Sequence, residues 1–91
     1  MDKLTFFKGE KREVTAVIYS VDPKEPVVIA ASKYELKKTN DNSVVQEGSC
    51  EIKDNIVVVL LDFAEKGNYE LTIESSVGRE VIIDKILVII E

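Results

Sequence analysis

The sequence predicts an all-β domain, and three observations predict it. Apolar residues recur in short β-branched runs rather than at helical spacing. Clusters of Gly, Pro, Asn, Asp and Ser separate those runs at the roughly eight- to twelve-residue spacing of a sandwich or barrel. The chain of 91 residues carries one cysteine, Cys50, so no intramolecular disulfide can staple it and stability has to come from a buried core. With domains of roughly 100–200 residues as the norm, one domain spanning residues 1–91 is expected.

Each element has a local reason. Leu4 to Phe7 reads as a first strand ended by Gly9, and Val14 to Val21 as a second, with Val14, Ala16 and Ile18 on one face and Thr15, Val17 and Tyr19 on the other. Asp22-Pro23-Lys24-Glu25-Pro26 turns the chain, because each proline fixes φ, lacks a donor and keeps its predecessor out of the helical region. Val27 to Ala31 is a third segment, running irregularly into Lys33 to Lys38 with Tyr34 and Leu36 pointing inward. Asn40-Asp41-Asn42-Ser43 is a turn, since short polar side chains bond their own backbone and tolerate left-handed φ. Val44 and Val45 open a strand that closes at Gly48. Ser49 to Lys53 and Ile56 to Leu61 are then joined through Asp54-Asn55, which has the chemistry of a tight hairpin. Asp62 to Lys66 reads as one helical turn. Asn68 to Glu74 alternates cleanly, with Tyr69, Leu71 and Ile73 opposed to Glu70, Thr72 and Glu74. Ser75-Ser76-Val77-Gly78 is a further hairpin turn, and Glu80 to Ile90 is the last strand, bent at Asp84-Lys85.

About seven or eight short strands in a chain near 100 residues fit a two-sheet sandwich of immunoglobulin-like topology with Greek-key connections. A small barrel of the same strand count satisfies the same periodicity.

Composition narrows the function. Lys and Arg number 12 against 17 Asp and Glu, a net charge of -5, which is the wrong sign for gripping a phosphate backbone, so nucleic acid is not an expected partner. The chain has no histidine, which removes the commonest acid–base and triad arrangements. Glu47, Glu51, Asp54 and Asp62 lie at turns or on alternating strands, where carboxylates are solvated rather than paired for catalysis. Isolated glycines offer no phosphate loop, and Asn40-Asp41-Asn42 lacks the spaced acidic residues of a calcium loop. Cys50 has no histidine to activate it and reads as a small buried hydrophobe. The reading is therefore of a non-enzyme with no cofactor, no metal and no small-molecule ligand. No apolar run reaches the roughly 18 residues of a membrane span, and Met1 to Lys8 lack the apolar stretch of a signal peptide, so synthesis in the cytoplasm is expected.

Two runs break the alternation that a sandwich strand open to water should show. Ile56-Val57-Val58-Val59-Leu60-Leu61 and Ile86-Leu87-Val88-Ile89-Ile90 are apolar on both faces. Either a loop or the N-terminal strand covers the second face, or exposed valines are simply tolerated there, or a neighbouring subunit covers it. The C-terminal run is the candidate interaction edge: Leu87, Val88, Ile89 and Ile90 would present a strand able to pair with a partner, a further copy of this chain included.

Two resemblances add to this. Asp62-Phe63-Ala64-Glu65-Lys66-Gly67-Asn68-Tyr69 resembles the D-x-G-x-Y corner of immunoglobulin-like domains, with a longer insertion between the Asp and the Gly. That likeness implies that Asp62, Gly67 and Tyr69 define the fold, with the tyrosine hydroxyl bonding to backbone just upstream. Phe7-Lys8-Gly9-Glu10, then Asp22 to Pro26, Tyr34-Glu35-Leu36 and Gly67-x-Tyr69-x-Leu71 look like the small immunoglobulin-like domains of bacteriophage baseplate and tail-fibre proteins. This second likeness implies a virion structural component that docks onto other subunits. The function expected from all of this is a non-catalytic assembly module of a phage or prophage tail. The alternative is an immunoglobulin-like binding module for glycan or host protein at a bacterial surface.

Overall fold

The computed structural model describes residues 2–19 and 26–91. Among the described residues eight strands follow one another, β1 (Asp2–Phe6), β2 (Lys11–Val17), β3 (Ile29–Lys38), β4 (Val44–Ser49), β5 (Glu51–Lys53), β6 (Ile56–Asp62), β7 (Gly67–Val77) and β8 (Glu80–Ile90). They form a five-stranded sheet in the order β1-β8-β7-β3-β4 and a three-stranded sheet in the order β2-β6-β5. Among the described residues no strand pair joins the two sheets, so the fold is a sandwich and not a closed barrel. Strands β3, β7 and β8 take the places of C, F and G in an immunoglobulin-like sandwich, and β2, β6 and β5 those of B, E and D.

The period-two pattern builds the core. From the small sheet Val14, Val57, Val59 and Leu61 point inward, and from the large sheet Leu36, Leu71, Ile73 and Val88 meet them, all of them buried. Phe6 stacks on Phe63 with ring centroids 4.8 Å apart, closing one end of this layer. Among the described residues the buried polar pair in the layer is Ser32 and Ser75, whose hydroxyls lie 2.9 Å apart and satisfy each other.

Several sequence expectations are met and several are corrected. The Asp54-Asn55 hairpin forms with Asp54 at φ 54°, and the turn after β3 forms with Asn42 at φ 58°. The third segment and its continuation are a single strand, β3, with a register shift between Ile29 and Ala31. The expected strand Ser49–Lys53 is interrupted at Cys50, where the chain crosses from one sheet to the other. The crossing is held by the Cys50 N–H donating to the Ser32 carbonyl at 2.9 Å. The hairpin expected at Ser75–Gly78 forms further along: Ser75 continues the inward row of β7, and the chain reverses at Gly78-Arg79 with Gly78 at φ 59°. β8 runs unbroken through Asp84-Lys85. The helical turn expected at Asp62–Lys66 is absent, because the Phe63 backbone is already engaged: its N–H donates to the Glu10 carbonyl at 3.0 Å and its carbonyl accepts from Gly9 at 2.7 Å. Of the second expected strand, Ser20 and Val21 lie outside the described residues, as do positions 22–25 of the turn that follows.

The tyrosine corner forms as the resemblance implies. The Tyr69 hydroxyl donates to the Glu65 carbonyl at 2.8 Å, and Gly67 adopts φ 146°, a backbone conformation that side-chain-bearing residues rarely take, beside the Tyr69 ring. Asp62 plays a different part from the one implied. Its carboxylate is exposed and lies 3.9 Å from Lys11, a distance at which a surface pair contributes little. Its backbone is what matters. The Gln46 side-chain amide spans the sandwich to accept from the Asp62 N–H at 3.2 Å and donate to the Asp62 carbonyl. Those two bonds replace the ladder that β5, which stops opposite Val58, does not provide.

Replacing Tyr69 by Phe removes one such bond while keeping the ring. It should lower unfolding free energy by about 1 kcal/mol in a urea titration with unchanged slope; an unchanged midpoint would show that the corner does not hold the fold.

Candidate interaction surfaces

The face of β6 that does not enter the core consists of Ile56, Val58 and Leu60. Register sets their neighbours. On β2, Val17 lies beside Ile56, Thr15 beside Val58 and Glu13 beside Leu60, and on β5, Lys53 lies beside Ile56 and Glu51 beside Val58. The outer surface of the small sheet is therefore an apolar column widened by Val17 and bordered by charges. Leu60 is 50% exposed within it.

The second apolar run produces a similar surface on the opposite side of the sandwich. Val81, Ile83, Leu87 and Ile89 of β8 point outward around Lys85, with Ile83 57% exposed and Leu87 and Ile89 half-buried. Lys85 leans to Glu70 at 3.7 Å, and the rest of this face carries Lys33 with Glu74 at 3.8 Å and Lys37 with Glu35 at 3.0 Å. Apolar and ion-paired areas thus lie side by side.

Leu87, Val88, Ile89 and Ile90 do not form an edge. From Ile86 to Ile90 β8 is hydrogen-bonded to β7 on one side and to β1, in parallel, on the other, so the backbone of Leu87–Ile90 is occupied; the stretch Glu80–Lys85 has β7 alone beside it. Val88 and Ile90 face the core, and only Leu87 and Ile89 face outward. The N-terminal strand occupies the position a neighbouring subunit would have taken. The edge strands are instead β1, β4, β2 and β5. What the sequence reading missed, the β2 edge, carried a signal: the unbroken run at 56–61 marks a central strand with both faces apolar, and a strand must then flank it on each side.

The remaining polar groups are absorbed locally. Glu10 accepts from the Phe7 N–H at 2.7 Å and from Arg12 at 3.0 Å, which holds its carboxyl below the ordinary range. Asp41 accepts from the Ser43 hydroxyl and N–H at 2.7 and 2.9 Å, with the same effect, so the Asn40–Ser43 segment is a self-bonded turn. Among the described residues no three His, Cys, Asp or Glu side chains converge as a metal site. A cleft of about 220 Å3 opens at the end of the sandwich between Leu36, Val45, Phe63, Tyr69 and Ile90. Lys38 and Glu65 also line it, 3.1 Å apart, and the hydrogen bond to Glu65 raises the Lys38 ammonium pKa. Cys50 is buried at the sheet crossing, and burial pushes its thiol pKa up. No described helix is long and apolar enough to cross a membrane.

Solved structures of other proteins share this fold, two of them as follows. CopC from Methylosinus trichosporium OB3b superposes with a TM-score of 0.72 at 12% identity, covering 100% of this chain and 85% of that one. The endo-beta-1,4-mannanase from Thermotoga petrophila superposes with a TM-score of 0.64 at 14% identity, covering 94% of this chain but 17% of the enzyme. At these identities the likeness is one of fold: a small β-sandwich. No protein-family model matches the sequence, and no curated protein matches it.

Because Cys50 is buried and held in its thiol form, an alkylating reagent at neutral pH should label it far more slowly than a free thiol, with labelling rising at the unfolding transition. Rapid labelling of the native protein would show that the sheet crossing is open.

Proposed function

We propose that this domain is a non-catalytic assembly module that works through protein–protein contacts. One observation carries the proposal: both apolar runs of the sequence leave an apolar surface on the outside of the sandwich, Ile56, Val58 and Leu60 with Val17 on one side and Leu87 and Ile89 with Ile83 on the other. Scattered exposed apolar residues are ordinary, but a column aligned along a central strand and rimmed by charge is the pattern of a surface that meets another protein. Within that reading, membership of a bacteriophage tail or baseplate rests on the sequence resemblance at Phe7–Glu10, Tyr34–Leu36 and Gly67–Leu71. The partners are then other virion subunits and the site of action is the virion.

A second reading has one observation in its favour. In the mannanase a sandwich of this shape occupies 17% of a longer chain, so such a unit also occurs as part of a larger enzyme. A surface or secreted binding module is the corresponding function here. Of the exposed aromatic rings a glycan would stack on, Phe7 and Tyr19 are available and do not belong to one sheet face.

The test is capture with tagged protein from the source culture, with and without prophage induction. Tail or baseplate proteins appearing only after induction support the first reading. Retention on mannan or cell-wall resin with no captured tail protein overturns it. Leu60→Lys should abolish capture while moving stability by no more than about 1 kcal/mol, because half of that side chain is already in water. Undiminished capture by Leu60→Lys together with Ile83→Lys would remove the apolar faces from the account.

A further inference from the structure

We infer that the free edge of β2 is a pairing site for a second copy of this chain, which would join two small sheets into one of six strands. This rests on the reading of the domain as an interaction module and names its partner. The backbone direction of β2 follows from two bonds at its ends: the Glu10 carbonyl accepts from Phe63, and the Ile18 N–H donates to Asn55. In an antiparallel ladder every second residue bonds the same neighbour, so Arg12, Val14 and Ala16 bond β6. Lys11, Glu13, Thr15 and Val17 therefore direct their N–H and carbonyl groups away from β6, and among the described residues nothing receives them.

Among the described residues the other open edges are blunted or short, the stretch of β8 beyond β1 offering only Val81, Ile83 and Lys85. On β1, Phe6 bonds the β8 side and the neighbouring Phe7 N–H is taken by the Glu10 carboxylate, which leaves Lys3 and Thr5 as open positions. β4 carries a register shift opposite Leu36 and Lys37, and β5 has three residues. Register shifts and very short strands are the devices that keep a sheet edge from pairing. β2 has neither of these, nor a proline; the device it does carry is charge, in Lys11, Arg12 and Glu13 at one end.

Overlap selects the register and charge permits it. A two-fold axis at Arg12 places that guanidinium opposite itself, with Lys11 opposite Glu13, but aligns only residues 11–13 of the strand, and an axis at Glu13 sets two carboxylates face to face; like charges directly opposite oppose pairing. An axis at Val14 aligns all seven residues of the strand, sets Glu13 opposite the second copy's Thr15 and Lys11 opposite its Val17, and brings no like charges face to face. The contact is isologous and closes as a dimer.

Thr15 is exposed and its side chain lies outside the core, so charge can be introduced there without disturbing the fold. Light scattering on the full chain across about 10 μM to 1 mM should show the mass rising toward two subunits. Thr15→Lys, facing Glu13 of the other copy twice per dimer, should tighten the dimer roughly three- to tenfold, and Thr15→Glu should weaken it by a similar factor. A single-subunit mass throughout overturns the pairing, as does a dimer that both variants leave unchanged or shift in the same direction. A monomer that still captures a foreign protein overturns the pairing and leaves the assembly function standing.

Discussion

The contact between the inward faces of the two sheets is the interaction on which everything else depends. A single cysteine allows no intramolecular disulfide, so a chain of this length is held by Val57, Val59 and Leu61 against Leu36, Leu71, Ile73 and Val88. Each fully buried aliphatic side chain contributes about 1.5–3 kcal/mol, and the layer leaves no room for slippage, since a one-residue shift would turn a whole row to solvent. That constraint fixes the parity of every strand. It decides that Ile56, Val58 and Leu60 face outward, and that the odd residues of β2 direct their backbone away from β6.

The ends of this layer are closed by side chains that imitate backbone. Gln46 supplies Asp62 with the donor and acceptor a further residue of β5 would have given, and Tyr69 satisfies the Glu65 carbonyl where the chain leaves β6 for β7. Cys50 marks the point where one strand is divided between two sheets, and Ser32, next to it, both accepts from the Cys50 backbone and pairs its hydroxyl with Ser75. These contacts explain why a loop as long as 63–66 stays extended instead of coiling. Its backbone is committed to the turn between β1 and β2 on one side and to Tyr69 on the other.

The alternation at Asn68–Glu74, the hairpin at Asp54-Asn55 and the corner at Gly67 and Tyr69 were legible because each is local, written in residues two to four positions apart. The pairing of β1 with β8 was not, since a parallel ladder between the two ends of the chain has no local signal, and without it Leu87–Ile90 reads as an open edge. Ser75 reads as a turn residue by composition, and only the opposing Ser32 explains its burial. The candidate surface was half legible. Apolar residues on both faces of 56–61 were visible in the sequence, whereas the neighbours that make a column of them depend on register.

A sandwich that spends one face of each apolar run on its core and keeps the other for a partner has to show an interior that is closed in the isolated chain and an edge that closes only in association. Amide hydrogen exchange resolved by residue, in dilute and concentrated protein, measures both. The account predicts slow exchange at Val14 and Ala16 at either concentration, and exchange at Glu13 and Thr15 that is fast when dilute and slowed when concentrated. Equal protection of all four residues in dilute protein, or rapid exchange at Glu13 and Thr15 at every concentration, would contradict it.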